Sequence, residues 1–308
     1  MQENSRDGHK ERMGLLYGFA GVFCFSLTLP ATRVAVAAFD PVVVGLGRAL
    51  VAAVLAALVL SWCRPAWPSL AQWRRLVLVA AGVVVGFPVL SAWAMTRVPA
   101  AHGAVVLGIL PLATAVAATL RAGDRPSLRF WLAAIAGAVV VVGYMLDAGA
   151  DQWRGADLLL IAAVASAAMG YAEGGRLSRE MGGWQVICWA LLLAAPVLVW
   201  PVGERLMAHP LTGAPWTAWL GLGYVCVFSM FLGFFAWYRG LALGGIARVS
   251  QMQLLQPFLT LMASGLLLGE RVTWHMVAAA ALVIGCILVG RRAPITASHT
   301  SGAGVGNR

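Results

Sequence analysis

Charged side chains are scarce in this sequence. Only 11% of the 308 residues are Asp, Glu, Lys or Arg, whereas hydrophobic residues make up 61%. A soluble globular domain carries roughly 25% charged residues. Because so few charges cannot cover the surface of a water-soluble fold of this length, the composition predicts that lipid is the main solvent of the protein.

The sequence also lacks the alternation of apolar and polar residues that membrane barrel strands need. Its apolar runs are continuous and about 20 residues long, which is the length of a spanning helix. In lipid every backbone N–H and C=O needs an internal partner, and helices supply it. We therefore predict an all-α integral membrane protein with ten transmembrane helices. The predicted spans are residues 14–36, 41–61, 76–96, 100–120, 129–147, 156–174, 184–201, 216–238, 247–268 and 273–290.

Sequence motifs of enzymes and metal sites are missing as well. The five cysteines lie far apart in sequence, so neither a disulfide framework nor a zinc site is predicted. The sequence contains no GxxxxGK[ST] loop, no HExxH and no GxSxG. ATP-driven transport and the corresponding hydrolase mechanisms therefore have no support. We expect a protein that is not an enzyme, with no catalytic residues, no metal and no cofactor.

Basic residues exceed acidic ones by 22 to 12, which gives a net charge of +10. In a soluble protein this excess would suggest nucleic acid, but in a membrane protein it marks the cytoplasmic loops. With a cytoplasmic N-terminus, sixteen basic residues fall on the cytoplasmic side, five fall on the far side, and Arg48 lies within a span. We predict a multi-pass protein of the inner (plasma) membrane with both termini cytoplasmic and no nucleic-acid partner.

Two stretches of the sequence resemble each other. Residues 101–127 match residues 247–273 at a spacing of 146, and Ala92-Trp93 matches Ala236-Trp237 at a spacing of 144. The matched pairs of the longer stretch are Pro111 with Pro257, Gly123 with Gly269, Asp124 with Glu270, Arg125 with Arg271 and Ser127 with Thr273. Because each half holds five predicted spans, the second copy enters the membrane from the opposite side. Inverted repeats of this kind build secondary transporters, with the substrate site near the midplane.

The repeat predicts the organisation of the whole chain. The predicted parts are a cytoplasmic N-terminus at residues 1–13, a first five-helix repeat at 14–147, a second, inverted five-helix repeat at 156–290 and a disordered cytoplasmic tail at 291–308. Glycine pairs spaced four apart indicate helices that approach each other closely. These pairs are Gly14/Gly18, Gly82/Gly86 and Gly240/Gly244.

The repeated stretches, residues 92–125 and 236–271, resemble the EamA-like family of the drug/metabolite transporter superfamily. The resemblance lies in the Ala-Trp pairs, in Gln253-Leu254-Leu255-Gln256-Pro257 with its counterpart Gly108-Ile109-Leu110-Pro111, and in the acidic-Arg turns. The first turn departs slightly, with Asp124 where Gly-Glu is usual. The resemblance implies ten helices in two inverted repeats around a central cavity. It also implies export of amino acids or related metabolites, often coupled to protons or driven by the substrate gradient.

Pro111 and Pro257 lie in the middle of predicted helices four and nine. Each proline removes one backbone hydrogen bond and bends its helix, so we expect two helix kinks with free carbonyls at similar depth. Two interpretations stay open. The kinks shape the transport pathway, or the prolines are merely tolerated in membrane helices. The symmetric placement favours a role in the pathway.

Polar residues at membrane depth are rare and often functional. Ser250, Gln253 and Gln256 are spaced three apart in predicted helix nine and share one face. This face fits a cavity that hydrogen-bonds an amino or carboxylate group. The alternative is a polar contact between packed helices.

Arg48 lies about seven residues into predicted helix two. An unpaired charge at the bilayer centre costs roughly 2.5–3.5 kcal/mol on the insertion scale. Arg48 must therefore find a partner, extend to the interface or face water. It is either a structural or interfacial arginine, or a counter-ion for a substrate carboxylate.

Other candidates for coupling, gating and binding lie elsewhere in the sequence. Glu173 forms an interfacial pair with Arg176 or, if it faces the cavity, couples protons. His102 is an interfacial histidine or a pH-sensitive gate. The candidates for an amphipathic substrate pocket are Trp93, Tyr144, Met169, Tyr171, Phe234 and Trp237. Aromatic residues in membrane helices are more often packing or interfacial belt residues.

The predicted function is a secondary transporter that exports amino acids or related small metabolites by alternating access through a central cavity. Its predicted partners are a small-molecule substrate and the lipid bilayer. Coupling to protons and the choice between a monomer and a homodimer stay open. Two alternatives stay open. Efflux of drugs or organic cations would be favoured by an acid near the midplane. A non-transporting sensor or assembly subunit would have a filled interior.

Overall fold

The computed structural model describes residues 2–122, 124–147, 154–209, 211–291 and 295–297. We group its helices into segments α1 to α10. In the first half these are α1 (Gln2–Ser26 and Thr28–Val36), α2 (Val43–Gly47 and Arg48–Cys63), α3 (Leu70–Val79, Ala80–Gly86 and Phe87–Met95), α4 (Ala100–Val106, Leu107–Ile109 and Leu110–Ala122) and α5 (Leu128–Asp147). In the second half they are α6 (Arg154–Met181), α7 (Gly183–Ala208), α8 (Trp216–Tyr224, Val225–Leu232 and Gly233–Gly244), α9 (Ile246–Ser250, Gln251–Leu255 and Gln256–Leu268) and α10 (Trp274–Arg291).

Two three-residue strands accompany the helices. Strand β1 (Asp124–Pro126) follows α4, and strand β2 (Ile295–Ala297) lies in the tail beyond α10. The two strands pair in antiparallel register, with Arg125 opposite Thr296. Residues 292–294 and 298–308 of the predicted disordered tail lie outside the described residues.

Seven helices in the described part are long and apolar enough to cross a membrane. They are His9–Val36, Val43–Cys63, Leu70–Met95, Ala100–Arg121, Gly155–Met181, Gly183–Ala208 and Trp216–Gly244. Segment α5 contributes a shorter apolar helix, Trp131–Val140. Apart from the two short strands, the regular structure of the described residues is helical, as expected for an α-helical membrane protein.

Contacts at one end of the bundle show where several segments start or finish. We call the end at which α1 begins the N-side and the other end the far side. Arg248 at the start of α9 pairs with Glu11 of α1 at 2.6 Å, so α9 starts on the N-side. Gly244 at the end of α8 lies against Gly14 of α1, so α8 finishes there.

The far side is defined by a second set of contacts. Arg33 near the end of α1 donates a hydrogen bond to the carbonyl of Met95 at the end of α3. His102 at the start of α4 is hydrogen-bonded to Asp157 at the start of α6, at 2.7 Å. Glu270, after α9, binds the backbone N–H groups at the start of α4. Segments α1, α3 and α9 therefore run from the N-side to the far side, and α4, α6 and α8 run the opposite way.

Departures from α-helical geometry recur at matched positions of the two halves. The π-helical turns Ala80–Gly86 and Val225–Leu232 overlap at a spacing of 144 in α3 and α8. The 3₁₀ turns Leu107–Ile109 and Gln251–Leu255 overlap at a spacing of 146 in α4 and α9. The sequence match is therefore also a match of backbone geometry.

The expected free carbonyls at the two prolines are not found. Pro111 lacks the N–H that would reach the carbonyl of Leu107, and Pro257 lacks the one that would reach Gln253. In each case the backbone N–H three residues on, from Leu110 and Gln256, donates to that carbonyl instead. The prediction of free carbonyls was wrong because a 3₁₀ turn satisfies them locally.

Close contacts between helices depend on glycine. A Cβ on Gly240 would lie 2.7 Å from the backbone nitrogen of Gly18, where α8 packs on α1. A Cβ on Gly82 would lie 2.5 Å from the carbonyl oxygen of Ser166, where α3 packs on α6. The close approach predicted from the glycine pairs is confirmed. Because the backbones touch, even alanine does not fit without displacement.

We expect Gly240→Ala to destabilise the protein by about 1–3 kcal/mol, the usual effect of overpacking, because the new methyl group meets the backbone of Gly18. The matched control is Gly223→Ala in the same segment, where an added Cβ has no atom within 4 Å. Thermal unfolding of the detergent-purified variants measures the difference. Equal melting temperatures for both variants would contradict the close contact.

Candidate functional site

A cavity of about 20 Å³ lies inside the bundle. It has room for about one water molecule. The lining side chains come from both halves of the chain, and they are Phe25, Thr28, Arg48, Val83, Phe87, Leu110, Tyr171, Ser229, Met230, Phe234 and Gln256. Most of them, among them Val83, Leu110, Ser229 and Gln256, lie near the middle of their segments, so the cavity lies close to mid-depth.

Arg48 is the cation of this cavity and is only 1% exposed. Its Nε and Nη1 atoms have no hydrogen-bond partner within the described part of the chain. Asp40, the nearest acid in sequence, accepts from the backbone N–H of Val42 at 2.8 Å instead. Because the guanidinium is buried, the interpretation of Arg48 as an interfacial arginine was wrong. Its position directly after the π turn Val43–Gly47 places it where the helix phase changes.

Hydroxyl and amide groups line the cavity on the side of α1. Thr28 Oγ1 and Ser229 Oγ form a hydrogen bond of 2.8 Å between α1 and α8. Gln256 Nε2 lies 3.5 Å from the carbonyl oxygen of Phe25. Both contacts join the first half of the chain to the second.

A proline in α1 creates a third link between the halves. Pro30 has no N–H, so the carbonyl of Ser26 loses its helical partner, and α1 is interrupted at Leu27. Thr260 of α9 donates its hydroxyl proton to that carbonyl at 2.7 Å. A carbonyl without a backbone donor, which we expected in α4 and α9, thus occurs in α1. The side chain of Thr260 from α9 supplies the missing hydrogen bond.

Aromatic rings close the N-side of the cavity. Tyr171 lies 6.3 Å from Phe25 and 5.4 Å from Trp237, measured between ring centroids. Phe234 lies 5.1 Å from Phe25. We call these four residues the aromatic cluster. Since α2 begins on the far side, Arg48 lies on the other side of the cavity from this cluster.

The predicted polar face of α9 divides between different environments. Gln256 lines the cavity. Gln253 is 1% exposed, does not line it, and neither Nε2 nor Oε1 has a partner within the described residues. Ser250 is buried and donates to the carbonyl of Ala247 at 3.0 Å. One residue of the three therefore reaches the cavity.

Other candidates also separate into cavity and non-cavity positions. Tyr171 and Phe234 line the cavity, and Trp237 is fully buried directly behind it. Met169 packs against the core from a half-buried position. Trp93 is 38% exposed and lies apart from the cavity, so the two repeat-matched tryptophans occupy different environments.

The two prolines are buried, but not at the central cavity. Pro111 lines a second small cavity of about 10 Å³ together with Gln251 and Cys286, between α4, α5, α9 and α10. Pro257 is buried at the start of the last part of α9. The 3₁₀ turns next to these prolines are followed directly by Leu110 and Gln256. These two residues match each other in the repeat, and both line the central cavity.

The two coupling candidates lie at opposite ends of the bundle. Glu173 forms an ion pair with Arg75, which also bonds Glu180 at 2.6 Å on the N-side. The expected partner, Arg176, instead donates to the carbonyl of Arg121. That pairing was predicted wrongly because the facing helix α3 presents an arginine, which sequence spacing does not reveal. On the far side His102 is hydrogen-bonded to Asp157, and both side chains are largely buried.

A carboxylate from the second half holds the start of α4 on the far side. Glu270 Oε1 accepts from the backbone N–H of Ala100 at 3.1 Å, and Oε2 accepts from that of Ala101 at 2.9 Å. These are donors that a helix start leaves unpaired. Glu270 also lines an open cavity of about 490 Å³ on the far side, together with Arg33 and Thr96.

Sequence reasoning missed several residues of the central cavity, among them Thr28, Ser229, Phe87 and Met230. Apolar side chains give no signal of this kind, because membrane helices are apolar on every face. Thr28 and Ser229 are polar residues inside predicted spans, which was the signal available. Their 2.8 Å contact across 201 positions of sequence was not predictable from spacing.

Comparison with known proteins gives concordant results. The model of the EamA-like transporter family matches the chain over residues 12–146 and again over 154–291. The curated relative "Uncharacterized transporter YdeK" of Bacillus subtilis (strain 168) is 44% identical over 284 residues, which cover 92% of this chain and 99% of that protein. A solved crystal structure matches with a TM-score of 0.70 at 16% identity, over 90% of this chain and 97% of that one. At this identity the structural match shows the fold alone.

We expect Thr260→Val to destabilise the protein by about 1–3 kcal/mol, because the buried carbonyl of Ser26 loses its donor. Thr114 is the repeat-matched control, since it is also fully buried but its Oγ1 has no partner within the described residues. Thr114→Val is expected to be neutral or stabilising. Melting temperatures in detergent report both changes, and equal losses in the two variants would refute the assigned hydrogen bond.

Proposed function

Because the chain belongs to the EamA-like transporter family, we propose that it is a secondary carrier that exports amino acids or related small metabolites across the inner membrane. Family membership makes the protein a transporter that lies in a lipid bilayer and moves a small-molecule substrate. The observation that supports the proposal best is a cavity at mid-depth, lined by polar side chains from both halves.

We propose ten transmembrane helices in two inverted five-helix repeats. Segments α5, α9 and α10 would add three spans to the seven long apolar helices. The double match to one family model supports two copies. The opposite directions of α1 and α6, of α3 and α8, and of α4 and α9 support their inversion. The predicted limits of the repeats, residues 14–147 and 156–290, are part of this proposal.

The N-side is proposed to be cytoplasmic. Arg75, Arg176, Arg239 and Arg248 lie at segment ends on this side, next to the basic N-terminal residues. Positive charge near short loops marks the cytoplasmic face. Both termini then lie in the cytoplasm.

The cavity is too small for an amino acid, so transport requires the helices to move apart. We propose that α3, α4, α8 and α9 move against the rest during alternating access. The aromatic cluster closes the cavity toward the N-side, and the Glu270 cap holds α4 against α9 on the far side. The open far-side cavity lies beyond that cap and would be the exit.

Residue roles in this proposal follow the placement of each side chain. Gln256, Arg48 and Tyr171 are proposed to contact the substrate in the closed state. Gln253, Ser250, Trp237 and Met169 would reach it only when the helices separate, and Trp93 is the weakest candidate. Glu173 and His102 are the groups through which protons would act if transport is coupled to them. A monomer and a homodimer both stay open.

Two other functions have less support. Efflux of organic cations calls for an acid near the midplane, and no acidic side chain of the described residues lines the cavity. A non-transporting sensor would have a filled interior, and an interior with a cavity of only about 20 Å³ comes close to that. Membership of a transporter family, however, favours a carrier in a closed conformation.

Counterflow in proteoliposomes loaded with labelled amino acids tests the function. We expect exchange of at least one amino acid or related acid by the wild type. In Gln253→Leu the exchange rate is expected to fall tenfold or more, while the amount of protein in the membrane stays the same. That variant is also expected to be more heat-stable, because it removes two unpaired buried polar atoms, which cost roughly 1–3 kcal/mol each. Gln251→Leu, in the same 3₁₀ turn but facing the second cavity, is the control. If Gln253→Leu exchanges substrate at the wild-type rate, Gln253 only packs between helices and has no role in transport.

The Glu270 cap generates a separate prediction about gating. Glu270→Ala is expected to weaken the start of α4 by about 0.5–2 kcal/mol and to loosen the far side. A single cysteine at Thr32, which is 1% exposed, then reacts faster with a water-soluble maleimide, and exchange slows. The control is Glu204→Ala, an exposed acid near the far-side end of α7. Unchanged labelling in Glu270→Ala would show that the contact of Glu270 with the start of α4 does not contribute to closing the far side.

A further inference from the structure

We infer that the substrate is a small organic monoanion with an apolar body, that Arg48 binds its carboxylate, and that the membrane potential drives its export. This inference rests on the proposed carrier function and narrows its substrate class from amino acids and related metabolites to acids without an ammonium group. It starts from the charge of Arg48, which no acid among the described residues balances.

No acidic side chain of the described residues lines the cavity beside Arg48. The acids with partners in the described part of the chain are bonded to other groups. Glu11, Glu173 and Glu180 pair with arginines on the N-side, and Asp40, Asp157 and Glu270 bind other groups on the far side. Arg48 lines the cavity between these two groups with Nε and Nη1 unpaired. A buried cation that no protein anion neutralises is stabilised by a bound anion.

The other polar groups of the cavity fit the same ligand. The hydroxyls of Thr28, Tyr171 and Ser229 and the amide of Gln256 can all donate hydrogen bonds. The bond between Thr28 and Ser229 uses one of their two protons, which leaves the second one available. A carboxylate is an acceptor with two oxygens, and the fork of an arginine matches it. An ammonium group has only donors and would be repelled by Arg48.

The body of the substrate would lie against the aromatic cluster. Phe25, Tyr171 and Phe234 cover the N-side of the cavity, while Arg48 lies toward the far side. An apolar or aromatic side chain packs on such rings, and a second charged group would be buried without a partner. The arrangement therefore selects one charge and one apolar end, which favours a monoanion over a zwitterion or a dianion.

The charge of this substrate also supplies a driving force. With the N-side in the cytoplasm, export moves one negative charge out of a compartment that is electrically negative. A potential of 100 mV then sustains a gradient of about 50-fold at equilibrium. Export of a monoanion accordingly needs no coupling ion, which agrees with the absence of an acid among the described cavity residues.

The test uses the full-length protein in proteoliposomes at equal pH on both sides, with potassium diffusion potentials set by valinomycin. Three probes share a phenyl group and differ in charge, namely phenylpyruvate, phenylalanine and phenyltrimethylammonium. We expect phenylpyruvate uptake to rise with a positive interior, toward about 50-fold accumulation at 100 mV. Phenylalanine uptake, if any, is expected to be independent of potential, and the cation is not taken up.

Variants assign the effect to Arg48. Arg48→Gln is expected to lose at least tenfold of phenylpyruvate uptake, and Arg48→Lys to lose less because it keeps the charge. Without ligand, Arg48→Gln is expected to unfold at or above the wild-type temperature, which shows that it is folded, and phenylpyruvate no longer raises that temperature. Arg239→Gln, an exposed arginine 5.0 Å from the Tyr17 ring, is the control and keeps full uptake.

The outcomes separate this inference from the carrier function. Amino-acid exchange that is independent of potential and unaffected by Arg48→Gln, without phenylpyruvate uptake, overturns the inference and leaves the carrier. Phenylpyruvate uptake driven by a pH gradient but not by potential overturns the driving force. If none of the probes moves and counterflow also detects no exchange, the proposed function fails together with the inference.

Discussion

A backbone carbonyl inside a membrane must be hydrogen-bonded within the protein, and the centre of this bundle is organised by the places where helices cannot supply that bond. Pro111 and Pro257 remove one donor each, and a 3₁₀ turn replaces it. Pro30 removes a third, and Thr260 replaces it from another helix. Where one hydrogen bond replaces another in this way, the regular α-helix is interrupted. Leu110 and Gln256, which follow two of these interruptions, line the cavity.

The two halves share backbone geometry but not cavity chemistry. The π turns of α3 and α8 and the 3₁₀ turns of α4 and α9 occur at matched positions. Polar residues, in contrast, differ between the copies, since Gln253 and Gln256 of α9 correspond to Leu107 and Leu110 of α4. In the proposed mechanism the repeat would allow symmetric movement of the helices, and the asymmetric set of side chains would recognise the substrate.

Electrostatics follow the depth of each group. Ion pairs and capped helix starts lie toward the ends of the bundle, as with Arg75 and Glu173 on the N-side and Glu270 on the far side. In the first pair Arg75 stays 20% exposed, so water still screens part of the charge. Arg48 alone among the cavity residues brings a full charge to the interior, so the binding chemistry proposed for this transporter depends mainly on that one side chain.

The sequence by itself determined the membrane environment, the helical fold and the internal repeat, because composition and apolar run length respond directly to the lipid solvent. It also indicated the close contact of Gly14 and Gly18 with small residues elsewhere, since spacing along one helix is visible in the chain. Tertiary structure alone decided that Glu173 pairs with Arg75, that Trp93 faces outward while Trp237 is buried, and that Thr28 meets Ser229. Such contacts join residues far apart in sequence, and in a membrane helix, apolar on all sides, no pattern tells which face meets the cavity.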